Sequence, residues 1–532
     1  MGGLFGGGPK TQASSEPRLG AIRVQTSVYG RAIPLVWGKT RIQGNLIWYG
    51  DFVAVEHHQD TGGGKGGGAN EGSDRITYTY EAAVAIALCR GPVEAIPQMW
   101  QNRKRILPVA EQPTVSETYV VPPDLTITVA HASSYLANKR VMHLAVRMTQ
   151  VAGSPGPGEY TVSGGTYTFN PADQGAIVTI TYRYVKVTQS ALARKNLSLH
   201  TGGDPQPTWG YLDTRHPAES LRYNRLCYVS SEALALGQSA AMPLLSFEVR
   251  AKSYDHEAGI DDANPRDVVS DLLALSGFAA IGNLTGYSDY CIAAGLFVSL
   301  ALTEQRAANQ IIAELLDSTN TAAVWSEGVL KLIPYADAQL SGNGKTYTPD
   351  ITPIYHLSDD DFLADADPVR ATRLDIADAY NQVQIEFSNR GLSARPKYDP
   401  SIAEAKDQAM IEAHGLRPRP VLRMPWITEA SVALYVAYLL LWRGLYIRTR
   451  YEFVLGWRYA LLEPMDIVTL TDPGLGLDRH PVRIIEIEED EDGQLRMTAE
   501  DFVPGVGTGV GYAPGGEDGY NPELAIKPGN TN

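Results

Sequence analysis

Several short motifs contain residue types that could do chemistry, and the first is the glycine-rich segment Gly62–Gly68. A phosphate-binding loop needs Ser or Thr directly after its lysine and a helix immediately afterwards. Here Lys65 is followed by glycines and then by a segment with strand periodicity. We therefore interpret Gly62–Gly68 as a flexible loop, and we expect a neighbouring subunit or partner to order it, because it has almost no apolar surface to bury.

The sequence contains two acidic stretches, and one of them has residues that could bind a cation. Glu488–Gly493 resembles the start of a calcium loop, but the position of the bidentate carboxylate is occupied by Ala499. Asp492-Gly493 lies between two apolar alternating segments, which is typical of a hairpin turn. We therefore predict a solvated turn at Glu488–Gly493 and a polar loop at Asp359–Asp361.

The histidines and cysteines offer no clear ligand set. His57 and His58 are neighbours, and neighbours on a strand point to opposite faces, so they cannot bind one metal ion without a bend. Three cysteines cannot form a Cys₄ zinc site, and each lies in or beside an apolar segment, which predicts buried free thiols. They are Cys89, Cys227 and Cys291.

No catalytic motif is present: the sequence contains neither a Gly-x-Ser-x-Gly elbow nor a His-Glu-x-x-His helix. We therefore predict no catalytic, cofactor-binding or metal-binding residue. The two carboxylates of a glycosidase cannot be recognised from sequence spacing, so a glycosidase stays open as an alternative.

The composition favours a multidomain protein with many turns. The chain has 532 residues, 44% of them hydrophobic, with 51 glycines and 33 prolines. Its 45 basic and 60 acidic residues give a net charge of −15, which argues against binding nucleic acid by phosphate neutralisation. The longest apolar segment, Val432–Trp442, is about half the length that crosses a bilayer, and no export signal is visible, so stable membrane insertion is not expected.

Residue periodicity predicts a mainly β chain with α+β parts. Ile76–Leu88 alternates over its whole length, and Val93–Trp100 is expected to pair back onto it after Gly91-Pro92. Val324–Ile333 has the pattern of a hairpin. Helices are expected where capping residues precede an apolar stripe, with N-caps at Asn264, Thr303 and Ser401 and ends at Gly277 and His414. The longest helix is expected over Thr428–Arg443, with Gly444 ending it.

Changes in composition and in hydrophobic periodicity along the chain predict six segments or domains. They are a flexible N-terminal segment (1–19), a β-rich domain (20–114 and 187–255), a small β-sandwich inserted in it (115–186), an α+β domain (256–350), an α+β or β-barrel domain (351–502) and a Gly/Pro-rich linker (503–532).

Several segments, in order along the chain, resemble one family: the central hub, or tip-attachment, proteins of long-tailed phages, which include the lambda tip-attachment protein and the hub proteins of gene transfer agents. The similarity covers most of 20–505, and the insert at Gly158–Asp173 is similar to a small β-domain of phage tail proteins. The segments that carry it are Ser27–Trp48, Tyr78–Val93, Leu221–Val249, Asp289–Val298, Ala379–Phe387 and Leu461–Leu470.

The resemblance implies a structural virion protein, made in the host cytoplasm and placed at the tail tip or baseplate. Such hubs are homotrimers that close the distal end of the tail tube, join the sixfold tube to a threefold tip and gate the release of the tape-measure protein and DNA. The implied partners are the distal tail protein, tail-tube proteins, the tape-measure protein and tip or receptor-binding fibre proteins. DNA is implied to pass without specific binding.

Two alternatives remain, a cell-wall glycosidase at the tail tip and a carbohydrate- or receptor-binding tail protein. The charge also predicts a neutral to acidic lumen, because phosphates neutralised by Lys or Arg would hold DNA in place. Asp359–Asp361 and Glu488–Asp492 are the acidic candidates for the lumen. The arginines of Arg443–Arg458 are expected to meet acidic protein surfaces at subunit contacts.

Overall fold

The computed structural model describes residues 32–60, 74–144, 146–255, 260–363, 368–375, 379–391 and 398–508. They divide into two compact units. Residues 41–251 form most of the first unit, and 35–40, 252–255 and the chain from 260 onward form the second. The predicted segments 1–19 and Gly62–Gly68, and most of the predicted linker 503–532, lie outside the described residues.

Strands dominate the described residues of the N-terminal half, which also include the short α-helix α1 (Gly210–Arg215). The strands are β1 (Leu35–Val36), β2 (Lys39–Gln43), β3 (Asn45–Asp60), β4 (Asp74–Arg90), β5 (Ala95–Gln101), β6 (Lys104–Ile106), β7 (Val109–Glu111), β8 (Thr114–Val120), β9 (Thr126–Thr128), β10 (Tyr135–His143), β11 (Val146–Arg147), β12 (Thr149–Gln150), β13 (Glu159–Ser163), β14 (Thr166–Phe169), β15 (Ile177–Tyr184), β16 (Lys186–Gln189), β17 (Ser198–His200), β18 (Leu226–Gly237) and β19 (Leu245–Arg250).

Two four-stranded sheets form the base of the first unit, in the orders β17-β18-β4-β3 and β2-β19-β5-β6. The long strand predicted at Ile76–Leu88 is confirmed as β4. The predicted pairing of Val93–Trp100 with that strand is wrong, because β3 and β18 occupy both edges of β4. The chain after Gly91 therefore enters the other sheet, where β5 pairs with β19 and β6.

Residues 114–184 form two further four-stranded sheets, β11-β10-β15-β8 and β12-β13-β14-β9. Their inward side chains make a core of their own, rich in aromatic residues such as Tyr160, Tyr167, Phe169 and Tyr182. A two-stranded ladder of β7 and β16 stands at the point where the chain enters and leaves these sheets. Independent folding of the insert 115–186 stays a prediction.

Deleting the insert should leave the rest of the chain folded. Glu111 and Lys186 face each other in the β7–β16 ladder, so an Asn-Gly turn can replace 112–185 without moving either strand. We expect calorimetry of the shortened chain to keep the cooperative melting transitions of the remainder. Loss of cooperative melting would mean that the insert is part of the core of the first unit.

The C-terminal half combines strands with longer helices. The helices are α2 (Pro265–Leu275), α3 (Thr285–Ala294), α4 (Ala308–Ser318), α5 (Gln408–His414) and α6 (Ala430–Tyr446). The strands are β20 (Ala301–Leu302), β21 (Thr321–Ser326), β22 (Val329–Pro334), β23 (Leu340–Gly342), β24 (Lys345–Tyr347), β25 (Tyr355–Leu357), β26 (Val369–Arg373), β27 (Gln382–Asn389), β28 (Asp399–Lys406), β29 (Leu422–Arg423), β30 (Thr449–Leu455), β31 (Ile467–Asp472), β32 (Leu477–Glu489) and β33 (Leu495–Asp501).

Two cores hold the second unit together. One lies between helices α2, α3, α4 and α6 and the sheet β28-β27-β29. The other covers one face of a six-stranded sheet in the order β25-β31-β32-β33-β30-β26. The predicted hairpin at Val324–Ile333 is confirmed as β21 and β22. The predicted fold class, mainly β with a few packed helices, is confirmed.

The helix predictions succeed where capping and burial agree. The side chain of Asn264 accepts a hydrogen bond of 3.0 Å from the Arg266 amide, as predicted for the N-cap of α2. The predicted start after Thr303 is wrong: α4 begins at Ala308, one turn before its first buried residue, Ile311. Helix α6 continues past Gly444 because Leu445 is buried in the core, which offsets the roughly 1 kcal/mol cost of a helical glycine.

The predicted helix from Ser401 is also wrong at its start. Residues 399–406 form β28, in which Ala403 and Ala405 alternate inward against β27. Strand pairing with a core strand therefore overrides the local capping signal. The helix begins later, at Gln408, where the Asp407 side chain accepts a 2.9 Å hydrogen bond from the Met410 amide.

Candidate functional site

The histidines and cysteines singled out in the sequence lie apart from one another. His57 Nε2 lies 2.6 Å from the Thr79 hydroxyl, whereas His58 lies 3.2 Å from Glu56 on the opposite face of β3. The three cysteines are buried and free, as predicted. In the described parts of the chain, no group of three or more His, Cys, Asp or Glu side chains could hold a metal ion.

The acidic stretch Glu488–Gly493 comprises the last two residues of β32 and the turn to β33, where a turn is predicted. Asp490 Oδ1 accepts hydrogen bonds from the amides of Asp492 (3.0 Å) and Gln494 (2.9 Å). In the other stretch Asp359 and Asp360 are exposed, but Asp361 has a structural role. It accepts a 2.8 Å hydrogen bond from the Ser358 amide and one of 2.5 Å from the Tyr459 hydroxyl.

The distal part of the β3–β4 hairpin extends beyond its sheet. The register of β18 on β4 ends at Tyr80, and from there to the pair Asp60–Asp74 the two strands pair only with each other among the described residues. A two-stranded hairpin is marginally stable alone in water. We call this part, residues 54–60 and 74–80, the arm.

An aromatic and carboxylate cluster lies at the base of the same hairpin. Asp51, at a bulge with φ of +46°, accepts a 2.5 Å hydrogen bond from the Tyr211 hydroxyl, and His216 Nε2 lies 2.8 Å from the same oxygen. These two hydrogen bonds lower the pKa of Asp51. The Trp48 indole donates to Glu219 at 2.5 Å and contacts the rings of Trp209, Tyr211 and His216 edge-on.

This cluster contains two carboxylates near an indole, the residue types of a sugar site. Both carboxylates, however, are already hydrogen-bonded between residues 209–219 and β3: Asp51 to the Tyr211 hydroxyl, and Glu219 to the Trp48 indole. Other aromatic rings also cover the indole. A Cβ on Gly50 would come within 2.8 Å of the Trp48 ring, so backbone also closes over it. These contacts therefore hold residues 209–219 against β3, which is a structural role.

A buried charged network fixes the helical core of the second unit. Asp262, of which 6% is exposed, accepts two hydrogen bonds from the Arg390 guanidinium at 2.9 and 2.7 Å and one from the Thr428 hydroxyl at 3.1 Å. Arg390 also donates to Glu429 at 2.8 Å. Burial opposes the charge of Arg390, but the carboxylate of Asp262 outweighs it and raises the pKa of Arg390. The network joins β27 to the start of α6.

Arginines line a cavity of about 390 Å³ near the C-terminal end of α6. Its lining includes the four arginines Arg419, Arg443, Arg448 and Arg450 and the two carboxylates of Asp317 and Glu500. We call this site the arginine cavity. It lies wholly within the second unit, where the end of α6 meets strands β29, β30 and β33.

The carboxylate of Asp501 connects β33 to neighbouring strands of the six-stranded sheet. It accepts hydrogen bonds from the Thr449 amide (3.1 Å) and the Tyr451 hydroxyl (3.0 Å), and His480 Nε2 lies 3.0 Å away. Burial raises the pKa of Asp501, but the hydrogen bonds outweigh burial and bring it below the ordinary value of 3.8.

Asp501 should therefore make the second unit sensitive to acid. A carboxylate whose pKa is lowered on folding stabilises the fold above its unfolded pKa, and this contribution is lost as the pH falls through the folded value. We expect the free energy of unfolding to drop between about pH 7 and about pH 3, and to drop less in Asp501→Asn. Equal drops in both proteins, measured by urea unfolding, would contradict this.

No helix of the described chain combines the length and the hydropathy that a membrane crossing requires.

Comparison with known proteins identifies a region of the second unit. Residues 307–487 match the family model Phage-tail_3, described as "Putative phage tail protein". No curated protein sequence gives a significant match.

A solved structure extends the similarity to nearly the whole chain. A chain from "Virion of native gene transfer agent (GTA) particle" is 15% identical, and the alignment covers 96% of this chain and 92% of that one with a TM-score of 0.56. The 43 kDa tail protein of prophage MuSo2 from Shewanella oneidensis (15% identity, 52% and 74% coverage) and a tail protein from Neisseria meningitidis MC58 (11%, 53% and 77%) both give a TM-score of 0.30. Residues 307–487 are thus similar to a phage tail protein family, and the chain has the fold of a protein of the gene transfer agent virion.

Proposed function

We propose that this protein is a structural virion protein, the central hub of a phage-type tail tip or baseplate. As a homotrimer, it would close the distal end of the tail tube and adapt the sixfold tube to a threefold tip. The observation that carries this proposal is the fold similarity to a gene transfer agent virion protein over 96% of this chain and 92% of that one. The tail protein family match within the second unit supports it.

Two features of the chain are consistent with a role in assembly. The arm has no third strand among the described residues, and a marginally stable hairpin of this kind gains order from a neighbour. The net charge of −15 suits a conduit through which DNA passes without being held. Asp359 and Asp360 are exposed carboxylates available to such a lumen.

The proposed partners are the distal tail protein, tail-tube proteins, the tape-measure protein and tip or receptor-binding fibre proteins. In this role the hub would release the tape-measure protein and then DNA, and the protein would act by binding and moving instead of by catalysis.

Native mass measurement of the purified chain tests the trimer. Three copies of the 57.8 kDa chain are expected in one particle at micromolar concentration. A mass of one or six copies at every concentration would contradict the proposed ring. Degradation of purified bacterial cell walls by the chain would favour the glycosidase alternative instead.

A further inference from the structure

The arginine cavity carries more positive charge than its own carboxylates neutralise. Glu500 is bonded to Arg443 at 2.9 and 3.0 Å, and the Arg443 guanidinium also stacks on Tyr335 with its carbon 3.6 Å from the ring centre. Within the described ranges, none of Arg419, Arg448 and Arg450 lies at ion-pair distance from a carboxylate. The cavity therefore has guanidinium groups that could form ion pairs with an additional anion.

The remaining polar groups of the cavity point the same way. The Nε atom of Arg448 is buried and has no hydrogen-bond partner in the described chain, a state that costs free energy. Burial raises the pKa of Asp317, with Arg419 acting in the opposite direction, so this carboxylate is a weakened counter-ion. The cavity volume of about 390 Å³ falls within the range of roughly 300–1,000 Å³ that is usual for ligand-binding pockets. A cavity of this size can accept a few side chains.

A matching set of anions lies on the same molecule. The end of β32 and the turn that follows it expose Glu488, Glu489, Glu491 and Asp492, and none of these side chains is in an ion pair within the described residues. We call them the acidic tip. A projecting hairpin that concentrates carboxylates complements a cavity that concentrates guanidinium groups, because such pairs form charge-assisted hydrogen bonds.

The tip of one copy cannot reach the cavity of the same copy. Leu495, beside the tip, and Glu500, in the cavity, lie five residues apart on β33, which is about 17 Å at roughly 3.4 Å per residue. The acidic tip and the arginine cavity therefore lie at opposite ends of β33. A contact that joins unlike ends of two identical chains is head-to-tail, and such contacts close into a ring when the rotation between copies allows it.

We propose that the acidic tip of one copy enters the arginine cavity of the next copy and forms a subunit contact of the ring. This inference rests on the proposed function, because it supplies one of the contacts of the proposed trimer. It assigns Glu488–Asp492 to an interface between copies and leaves Asp359 and Asp360 as the exposed candidates for the lumen.

Charge-reversal variants of the full chain test the contact. The cavity variant Arg419→Glu/Arg450→Glu and the tip variant Glu489→Arg/Glu491→Arg place like charges opposite each other, so each should weaken self-association at least about 100-fold. The chain that carries all four changes restores opposite charges and should assemble again. Matched controls are Arg479→Glu and Asp359→Arg/Asp360→Arg, which change exposed charges outside the contact and should assemble as the wild type does.

Sedimentation of all variants, with circular dichroism to show that each is folded, separates the outcomes. Loss of assembly in both reversed variants with rescue in the combined chain supports the contact. A wild-type trimer with both reversed variants also trimeric would overturn the contact and leave the proposed function standing. A wild type that stays monomeric at all concentrations would overturn both. Binding of inorganic phosphate in the cavity, with assembly of the tip variant unchanged, would identify a free anion as the occupant and overturn the contact.

Discussion

Replacing Asp262 with alanine should destabilise the second unit by about 3–5 kcal/mol, the range for removing one partner of a buried ion pair. The change leaves the Arg390 guanidinium buried, and it also removes the acceptor of the Thr428 hydroxyl. Glu429, whose side chain is 45% exposed, keeps one hydrogen bond to Arg390, so we expect the lower end of this range. Hydrogen exchange at β27 and α6 during urea titration measures the loss.

A double variant separates the charge from the shape of this site. Asp262→Leu with Arg390→Met removes both charges, so the loss should be smaller than for Asp262→Ala. Asp359→Ala, which removes an exposed carboxylate, should change the free energy of unfolding by less than about 0.5 kcal/mol. A loss below about 1 kcal/mol for Asp262→Ala would show that the network does not hold α6 in place.

Replacing Gly507 with alanine should release the C-terminal end of the described chain from the second unit. A Cβ there would lie 2.0 Å from the Tyr335 carbonyl oxygen, and backbone cannot yield as a flexible side chain does. The Gly507 amide donates to Asp337 at 2.8 Å, and the Thr508 hydroxyl donates to the same carboxylate at 2.5 Å. We expect a loss of about 1–3 kcal/mol, as for overpacked sites.

Hydrogen exchange measures this release at the amides of Gly507 and Asp337, which should exchange faster in the variant. Gly444→Ala is the matched control, because no atom lies within 4 Å of its added Cβ. As a helical position, it should gain up to about 1 kcal/mol of stability. If hydrogen exchange at these two amides is unchanged in Gly507→Ala, the segment around Gly507 accommodates the added Cβ without loss of stability, which would contradict the prediction.

The local sequence pattern correctly predicts those helices and strands in which periodicity and capping residues agree with the packing in the folded protein. Alternation in Ile76–Leu88 predicts β4 because one face of that strand has to be buried, and Asn264 with Pro265 predicts α2 because capping and the apolar stripe coincide. Ser401 misleads because β27 offers a pairing edge to residues 399–406, and a capping motif contains no information about a strand that lies elsewhere in the chain.

The candidate sites depend on contacts between distant residues, which is why sequence spacing does not reveal them. Asp262 and Arg390 are 128 residues apart, and the Trp48 indole meets a carboxylate 171 residues further along the chain. The one available signal for the arginine cavity is the density of arginines in 443–458, which predicts contact with acidic surfaces but not a cavity. A mainly β fold, by contrast, follows from alternation alone.

Reconstruction by electron microscopy of a particle that contains this chain tests the hub proposal most directly. We expect three copies at the distal end of the tail tube, closing it, with a lumen lined by neutral and acidic side chains and with the arginines turned toward neighbouring subunits. Six copies, a position along the tube or on the head, or a lumen lined by arginines would contradict the proposal.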